Sequence, residues 1–167
     1  MNCFHTDLEW SLDERDNDMF DSLYRKVFPR VKDIHFADDI KTQKKGIDKI
    51  ITFENGNFVT IDEKKRRKDY GDILLEIWSV DYDVPGWLYT SHCDYIAYAI
   101  MPTLKVYLLP TLLLQAAWKT NCKQWLSEHG TIKAKNKDYI TTSIGIPVQV
   151  LLKAIHNETQ QHFQEEV

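Results

Sequence analysis

Residues 47–64 read IDKIITFENGNFVTIDEK, and they decide the fold of this chain. Two β-rich runs, 47–53 and 58–64, flank Asn55-Gly56, which is the strongest short-range hairpin signal that a sequence offers. The pattern predicts two antiparallel strands joined by a tight turn. Acidic residues and lysines stand at the strand ends that lie away from the turn, so the hairpin would bring carboxylates and an ammonium group to one place.

The length of the turn decides which acid faces Asp48. Because side chains alternate along a strand, Asp62 and Lys64 share one face and Glu63 lies on the other. A turn of two residues would place Glu63 opposite Asp48. A turn of three residues, 55–57, would place Lys64 opposite Asp48 and Asp62 on the same face. A shift of one residue reverses the face, and Asp62 with Lys64 is the pair that we favour.

Gly46-Ile47-Asp48 and Asp62-Glu63-Lys64 resemble the motifs of the PD-(D/E)XK nuclease superfamily, in which an Asp and a (D/E)-x-K triplet on neighbouring strands form a metal site. The likeness covers roughly residues 38 to 80, and Ile47 stands at the place of the proline in the family name. The chain is similar to small phage and bacterial members in particular. The resemblance implies one nuclease-like domain over residues 1–167. Its fold class would be α/β, with a restriction-endonuclease-like mixed β-sheet flanked by helices (an αβββαβ-type core).

The site that the resemblance implies consists of Asp48, Asp62 and Lys64. The two aspartates would hold Mg²⁺ or Mn²⁺, with Glu63 as an alternative ligand, because carboxylate oxygens suit these hard cations. The cation would acidify a water molecule and neutralise charge on the phosphate, while Lys64 would orient water or stabilise the transition state. The implied activity is endo- or exonucleolytic hydrolysis of DNA. Two further catalytic candidates are Gln43 and Glu76.

Charge is distributed unevenly along the chain. The net charge is −4, yet residues 41–68 hold nine Lys or Arg against four Asp or Glu. A basic patch on an acidic body can dock a polyanion through counterion release, so DNA is the expected partner. The alternatives are RNA hydrolysed at the same site, and a non-enzymatic phage-type factor that binds nucleic acid or protein. Six residues of the segment are predicted phosphate contacts: Lys44, Lys45, Lys49, Lys65, Arg66 and Arg67.

Length and composition predict one soluble domain. The chain has 167 residues, of which 43% are apolar, and this is enough to build a hydrophobic core without disulfides or structural metal ions. Three widely spaced cysteines predict a reducing compartment, and the start of the chain lacks the pattern of a secretory signal. The most apolar stretch, 106–118, is shorter than the ~20 residues of a membrane span. We therefore expect a cytoplasmic protein with no membrane partner. If the protein is encoded by a phage, the expected location is the cytoplasm of the host. The oligomeric state stays open, with a homodimer as one option.

The rest of the chain predicts further elements around the hairpin. A first helix should end at Pro29, and residues 30–45 read as a polar loop. Residues 72–80 predict a third strand, apolar on both faces and therefore central. One helix should run from Pro110-Thr111 to about Leu126, and residues 145–147 should open a terminal helix. Three more strands are predicted at 94–101, 104–109 and 139–143.

Overall fold

The computed structural model describes residues 14–37 and 45–165 of the chain, and their side chains over 18–37 and 45–160. It is a mixed α/β protein with two β-sheets and flanking helices. The helices are α1 (Glu14–Val27), α2 (Trp87–Thr90), α3 (Thr111–His129) and α4 (Val148–Glu165), with a 3₁₀ turn at Met101–Thr103. The strands are β1 (Val31–Phe36), β2 (Lys49–Phe53), β3 (Phe58–Arg66), β4 (Asp72–Val80), β5 (Val84–Pro85), β6 (Tyr95–Ile100), β7 (Lys105–Pro110), β8 (Ile132–Lys135) and β9 (Ile140–Pro147).

The first sheet holds the predicted hairpin at its centre. Its strand order is β1-β2-β3-β6-β7, and it is mixed because β3 pairs with β6 in parallel while the other pairs are antiparallel. The second sheet has the order β5-β4-β9-β8 and is antiparallel throughout. The strand predicted at 72–80 is therefore internal, but it belongs to the second sheet and does not pair with the hairpin.

Helix α1 covers one face of the first sheet. Phe20 and Tyr24 lie four residues apart, hence on one side of the helix, and both are fully buried. They pack on the hairpin residues Ile51 and Ile61. The helix ends at Val27, as the proline at position 29 predicts, because the residue before a proline is disfavoured in the helical conformation.

The other face of the first sheet meets the second sheet and helices α3 and α4. The apolar side chains of β4 alternate, so Ile73, Leu75 and Ile77 are buried in this second core. Ile96 of the first sheet belongs to the same core. Residues that β3 directs away from α1 therefore point into the space between the two sheets.

Two sequence predictions about elements are wrong, and one exposed strand was missed. The segment predicted as a polar loop, 30–45, contains strand β1. This strand lies at the edge of its sheet and is mostly exposed, so its sequence lacks the regular apolar alternation by which a strand is predicted. Residues 145–147 do not open the last helix, because Ile146 is a core residue of β9 and the helix begins at Val148. The exposed strand β8 was not predicted at all. Among the described residues, no helix combines the length and apolar character needed to cross a membrane.

Candidate functional site

The turn of the β2–β3 hairpin has three residues, 54–56. The Phe53 N–H donates to the Asn57 carbonyl over 2.8 Å, and the Gly56 N–H donates to the Phe53 carbonyl over 3.0 Å. Gly56 has a φ of +84°, in the left-handed region that glycine adopts without strain. The turn thus has the predicted three residues but lies one position earlier than 55–57.

This register brings the two predicted aspartates together. Lys49 pairs with Ile61, and the Asp48 N–H donates to the Ile61 carbonyl over 2.8 Å. Continued by one residue, the same register places Asp48 opposite Asp62. The prediction that Lys64 lies opposite Asp48 is therefore wrong, whereas the prediction that Asp62 lies on the Asp48 face is confirmed.

Asp62 is completely buried, and both of its carboxylate oxygens have partners. Lys64 Nζ lies 2.5 Å from Oδ1, and the Ser91 hydroxyl donates to Oδ2 over 2.7 Å. Gly46 approaches this pair closely: a Cβ at that position would lie 2.9 Å from Ser91 Oγ and 3.1 Å from Asp62 Oδ2. The glycine of the first motif thus leaves room for the carboxylate.

Asp48 is held against Asp62. The Glu63 backbone N–H donates to Asp48 Oδ2 over 2.7 Å. Burial raises the pKa of Asp48 to about 6, and the negative charge of Asp62 and a hydrogen bond between the two carboxyl groups contribute to the shift, against the opposing effects of Lys64 and the Glu63 N–H. Two carboxyl groups in such contact cannot both ionise without a neutralising proton or cation.

Lys64 stays protonated beside these acids. Burial acts to lower its pKa, but the charges of Asp62, Asp48 and Glu76 outweigh this effect and hold the pKa above its ordinary value. The side chain is 29% exposed, and its ammonium group is held against Asp62. Glu76 belongs to β4 of the second sheet, and its carboxylate also accepts a hydrogen bond from Ser79. The candidate site therefore lies where the two sheets face each other.

Glu63 points to the opposite face of β3. Its Oε1 accepts a hydrogen bond from the Tyr24 hydroxyl over 2.8 Å and lies 3.2 Å from Lys49 Nζ. Lys49 also contacts Asp21 at 2.5 Å and is only 1% exposed. The arrangement in which Glu63 and Lys65 face Asp48 is thus wrong, and Glu63 is not placed as a ligand beside Asp48. The prediction that Lys49 contacts phosphates is wrong as well, because helix α1 covers it.

The remaining predicted phosphate contacts differ in exposure. Arg66 is 12% exposed and bound to the carboxylate of Asp72 and, over 3.0 Å, to its carbonyl, so the prediction that Arg66 contacts phosphates is wrong for this structure. Lys45 and Arg67 are exposed, and Lys65 is half-buried. Gln43 and Lys44 lie outside the described residues.

The oxygen donors of this site fit a hard divalent cation. No group of three or more His, Cys, Asp or Glu in the described part of the chain is arranged to hold a metal ion. Mg²⁺, however, is commonly bound through one or two carboxylates, with waters and a substrate phosphate completing the shell. A cation shared by Asp48 and Asp62 would also relieve the repulsion that raises the pKa of Asp48. The two aspartates therefore suit a hard divalent cation.

Ser91 is the site residue that sequence reasoning missed. It follows α2 and is 29 positions from Asp62 in the chain, and no local pattern marks it. It also borders a groove of about 610 Å³ that His92, Asp94, Leu112 and Gln115 help to line. A second groove, of about 870 Å³, lies at the hairpin turn, and neither groove is lined by the two aspartates.

Comparison of the chain with protein-family models, curated proteins and solved structures gives no match. Function is therefore inferred from the geometry of the site itself.

Proposed function

We propose that the protein is a metal-dependent nuclease that hydrolyses DNA phosphodiester bonds, with a PD-(D/E)XK-type site in a restriction-endonuclease-like domain. The observation that carries the proposal is the hairpin register, which places Asp48 opposite Asp62, with Lys64 2.5 Å from Asp62. Both acids come from the motifs that resemble the superfamily, and they are in the order that its pattern requires. Endonucleolytic and exonucleolytic cleavage both remain within the proposal.

Asp48 and Asp62 are the residues that would hold the cation. Bound Mg²⁺ or Mn²⁺ supplies acidity to water and positive charge to the phosphate oxygens. The protein fixes the two carboxylates in advance: the Glu63 N–H binds Asp48, and the Ser91 hydroxyl binds Asp62. Hydrogen-bond partners of this kind hold a metal-binding side chain in one orientation and typically improve metal affinity ~10- to 100-fold.

Lys64 would act as a donor of hydrogen bonds and positive charge. Because its pKa is raised, it is protonated at neutral pH and cannot serve there as a general base. Its ammonium group, 2.5 Å from Asp62, has two further N–H groups that can donate to a phosphate oxygen or an attacking water. This stabilises negative charge that develops as the phosphodiester bond breaks.

The test is a cleavage assay with supercoiled plasmid, linear duplex, single-stranded DNA and RNA, each with Mg²⁺, Mn²⁺ or EDTA. Asp62→Asn should reduce cleavage by at least ~100-fold, because it removes one of the two carboxylates that would hold the cation that neutralises charge on the phosphate. Glu63→Gln is the matched control, since it changes the neighbouring carboxylate on the opposite face, and it should cleave within a few-fold of wild type. Equal cleavage by wild type and Asp62→Asn would refute the proposal.

A non-enzymatic binding factor is the second candidate, and one observation favours it. Both oxygens of the fully buried Asp62 are already bound, one to Lys64 and one to Ser91, so the cluster is satisfied without a cation. Calorimetry with Mn²⁺ separates the two candidates. A nuclease site should give heat in wild type that Asp62→Asn loses, whereas a binding factor should give none in either protein. Cleavage confined to RNA would indicate an RNase using the same residues.

A further inference from the structure

The turn that follows β3 presents an exposed aromatic ring. Tyr70 is 65% exposed, and the Arg66 guanidinium carbon lies 4.9 Å from the centre of its ring. Arg66 is itself held by the carboxylate and the carbonyl of Asp72. The Arg66 guanidinium, which is held in place by Asp72, therefore lies over the ring of Tyr70 and limits the orientation of that ring.

The backbone of this turn is braced as well. The Gly71 N–H donates to Asp69 Oδ1 over 2.8 Å, and Gly71 has a φ of +72°. The Gly71 carbonyl accepts a hydrogen bond of 3.1 Å from the N–H of Val148, the first residue of α4. Tyr70 thus lies in a turn that is hydrogen-bonded to helix α4.

The ring lies at the end of the strand that carries the candidate site. Asp62, Lys64 and Arg66 share one face of β3 because side chains alternate. From residue 62 to residue 66 the strand spans roughly 13 Å, which corresponds to about four nucleotides at the 3.4 Å rise of a stacked strand. Arg67 and Lys68, next to Tyr70, are exposed cationic residues. Strand β3 thus leads from the buried acid of the candidate site to exposed cations and an exposed aromatic ring.

We propose that Tyr70 is a stacking platform for an unpaired base, and that the substrate strand reaches it as single-stranded nucleic acid or as a frayed end. Aromatic side chains bind single strands by stacking on bases, which in a duplex are already stacked and covered. Arg67 and Lys68 would contact phosphates beside the stacked base. The inference rests on the proposed function, which it deepens by naming the form of the substrate.

Fluorescence anisotropy in EDTA tests the platform without cleavage, with a labelled single strand and a duplex of the same sequence. Tyr70→Ala should weaken binding of the single strand about tenfold and binding of the duplex less than about twofold, and Tyr70→Trp should restore it. Tyr82→Ala is the matched control: this tyrosine is 77% exposed, with Lys133 Nζ 5.3 Å from its ring, but it lies beyond β4 of the second sheet. It should leave both affinities unchanged.

The salt dependence of single-strand binding reports how many phosphates the protein contacts with cationic side chains. With about three phosphate contacts, the slope of log affinity against log salt should be roughly −2 for the single strand. Lys68→Ala should reduce the magnitude of that slope by about 0.7, whereas Tyr70→Ala should leave it unchanged because tyrosine releases no counterion.

The outcomes separate the platform from the nuclease. Unchanged single-strand affinity in Tyr70→Ala, or an equal loss in Tyr82→Ala or with the duplex, would overturn the platform even if wild type cleaves DNA. Selective loss in Tyr70→Ala would support the platform even if no cleavage were found, in which case the nuclease proposal alone fails.

Discussion

The two faces of strand β3 both bury an acid beside a lysine, but they neutralise charge in different ways. On the face toward α1, Lys49 Nζ lies between two acids, 2.5 Å from Asp21 and 3.2 Å from Glu63. On the face toward the second sheet, Asp48 and Asp62 are neighbours across the hairpin, and Lys64 lies 2.5 Å from Asp62. The first arrangement separates like charges with a cation, and the second places like charges side by side.

The difference supports the proposal that the face toward α1 is structural and that the face toward the second sheet carries the proposed site. The Lys49 cluster is complete: three aromatic rings lie 5.1 to 6.0 Å from its Nζ, and Asp21 keeps 38% of its side chain in solvent. Burial raises the pKa of Glu63, and Lys49 and Tyr24 act against that shift. Asp21 adds a smaller rise to the pKa of Glu63, and Lys49 is the largest influence after burial. For the pKa of Asp48, the largest influence after burial is the charge of Asp62, which adds to the rise. A buried surplus of negative charge calls for a proton or a cation.

The largest expected effect is on stability, at the neutralised face. Lys49→Met should lower the free energy of unfolding by about 3 to 5 kcal/mol, because it leaves a buried carboxylate without its cation. Lys64→Met is the counterpart on the other face and should cost less than half of that, since Lys64 is 29% exposed and its removal lets the carboxyl pair hold a proton instead. Urea unfolding at pH 7 in EDTA measures both. A larger cost for Lys64→Met would reverse the assignment of the two faces.

The pH dependence of stability should distinguish the Asp48–Asp62 pair from the Lys49 cluster. The pKa of Asp48 is raised from 3.8 to about 6, so the folded protein holds a proton that the unfolded chain has lost between these values. Stability from this group is present below about pH 4 and is lost as the pH rises through 6, by on the order of 2 to 3 kcal/mol.

The measurement compares wild type with Asp48→Asn by urea unfolding from pH 4.5 to 7. In EDTA, wild type should lose stability relative to the variant over this range. Saturating Mn²⁺ should reverse the trend, because the cation binds the ionised carboxylates. Parallel curves for the two proteins in EDTA would show that Asp48 titrates normally.

The smallest effect concerns the hydroxyl group that orients Asp62. Ser91→Ala should cost about 1 to 2 kcal/mol of stability, because it removes a hydrogen bond to a buried carboxylate, and it should weaken Mn²⁺ binding about tenfold. Thr142→Val is matched, since Thr142 is buried and donates to Asp81 over 2.7 Å in the second sheet. It should cost similar stability and leave Mn²⁺ affinity unchanged. Equal Mn²⁺ affinity in Ser91→Ala and wild type would make Ser91 purely structural.

Local patterns predicted the parts of the fold that local physics controls. The hairpin, the end of α1 before Pro29 and strand β4 follow from turn chemistry, proline sterics and a continuous apolar run. Pairings between distant segments were not predictable in this way. The parallel contact of β3 with β6 and the separation of β4 into a second sheet depend on which apolar faces meet across the core, and several strands offer such a face.

For the candidate site, alternation along β3 was sufficient to assign Asp62 and Lys64 to one face and Glu63 to the other, because the period of a strand is two whatever surrounds it. The partner of Asp48 depended on the turn, where a single residue changes the register. Only tertiary packing decided that Ser91 reaches Asp62 and that α1 buries Lys49 while Lys45 stays exposed. A lysine has the same chemistry in both places, and what differs is the element that covers it.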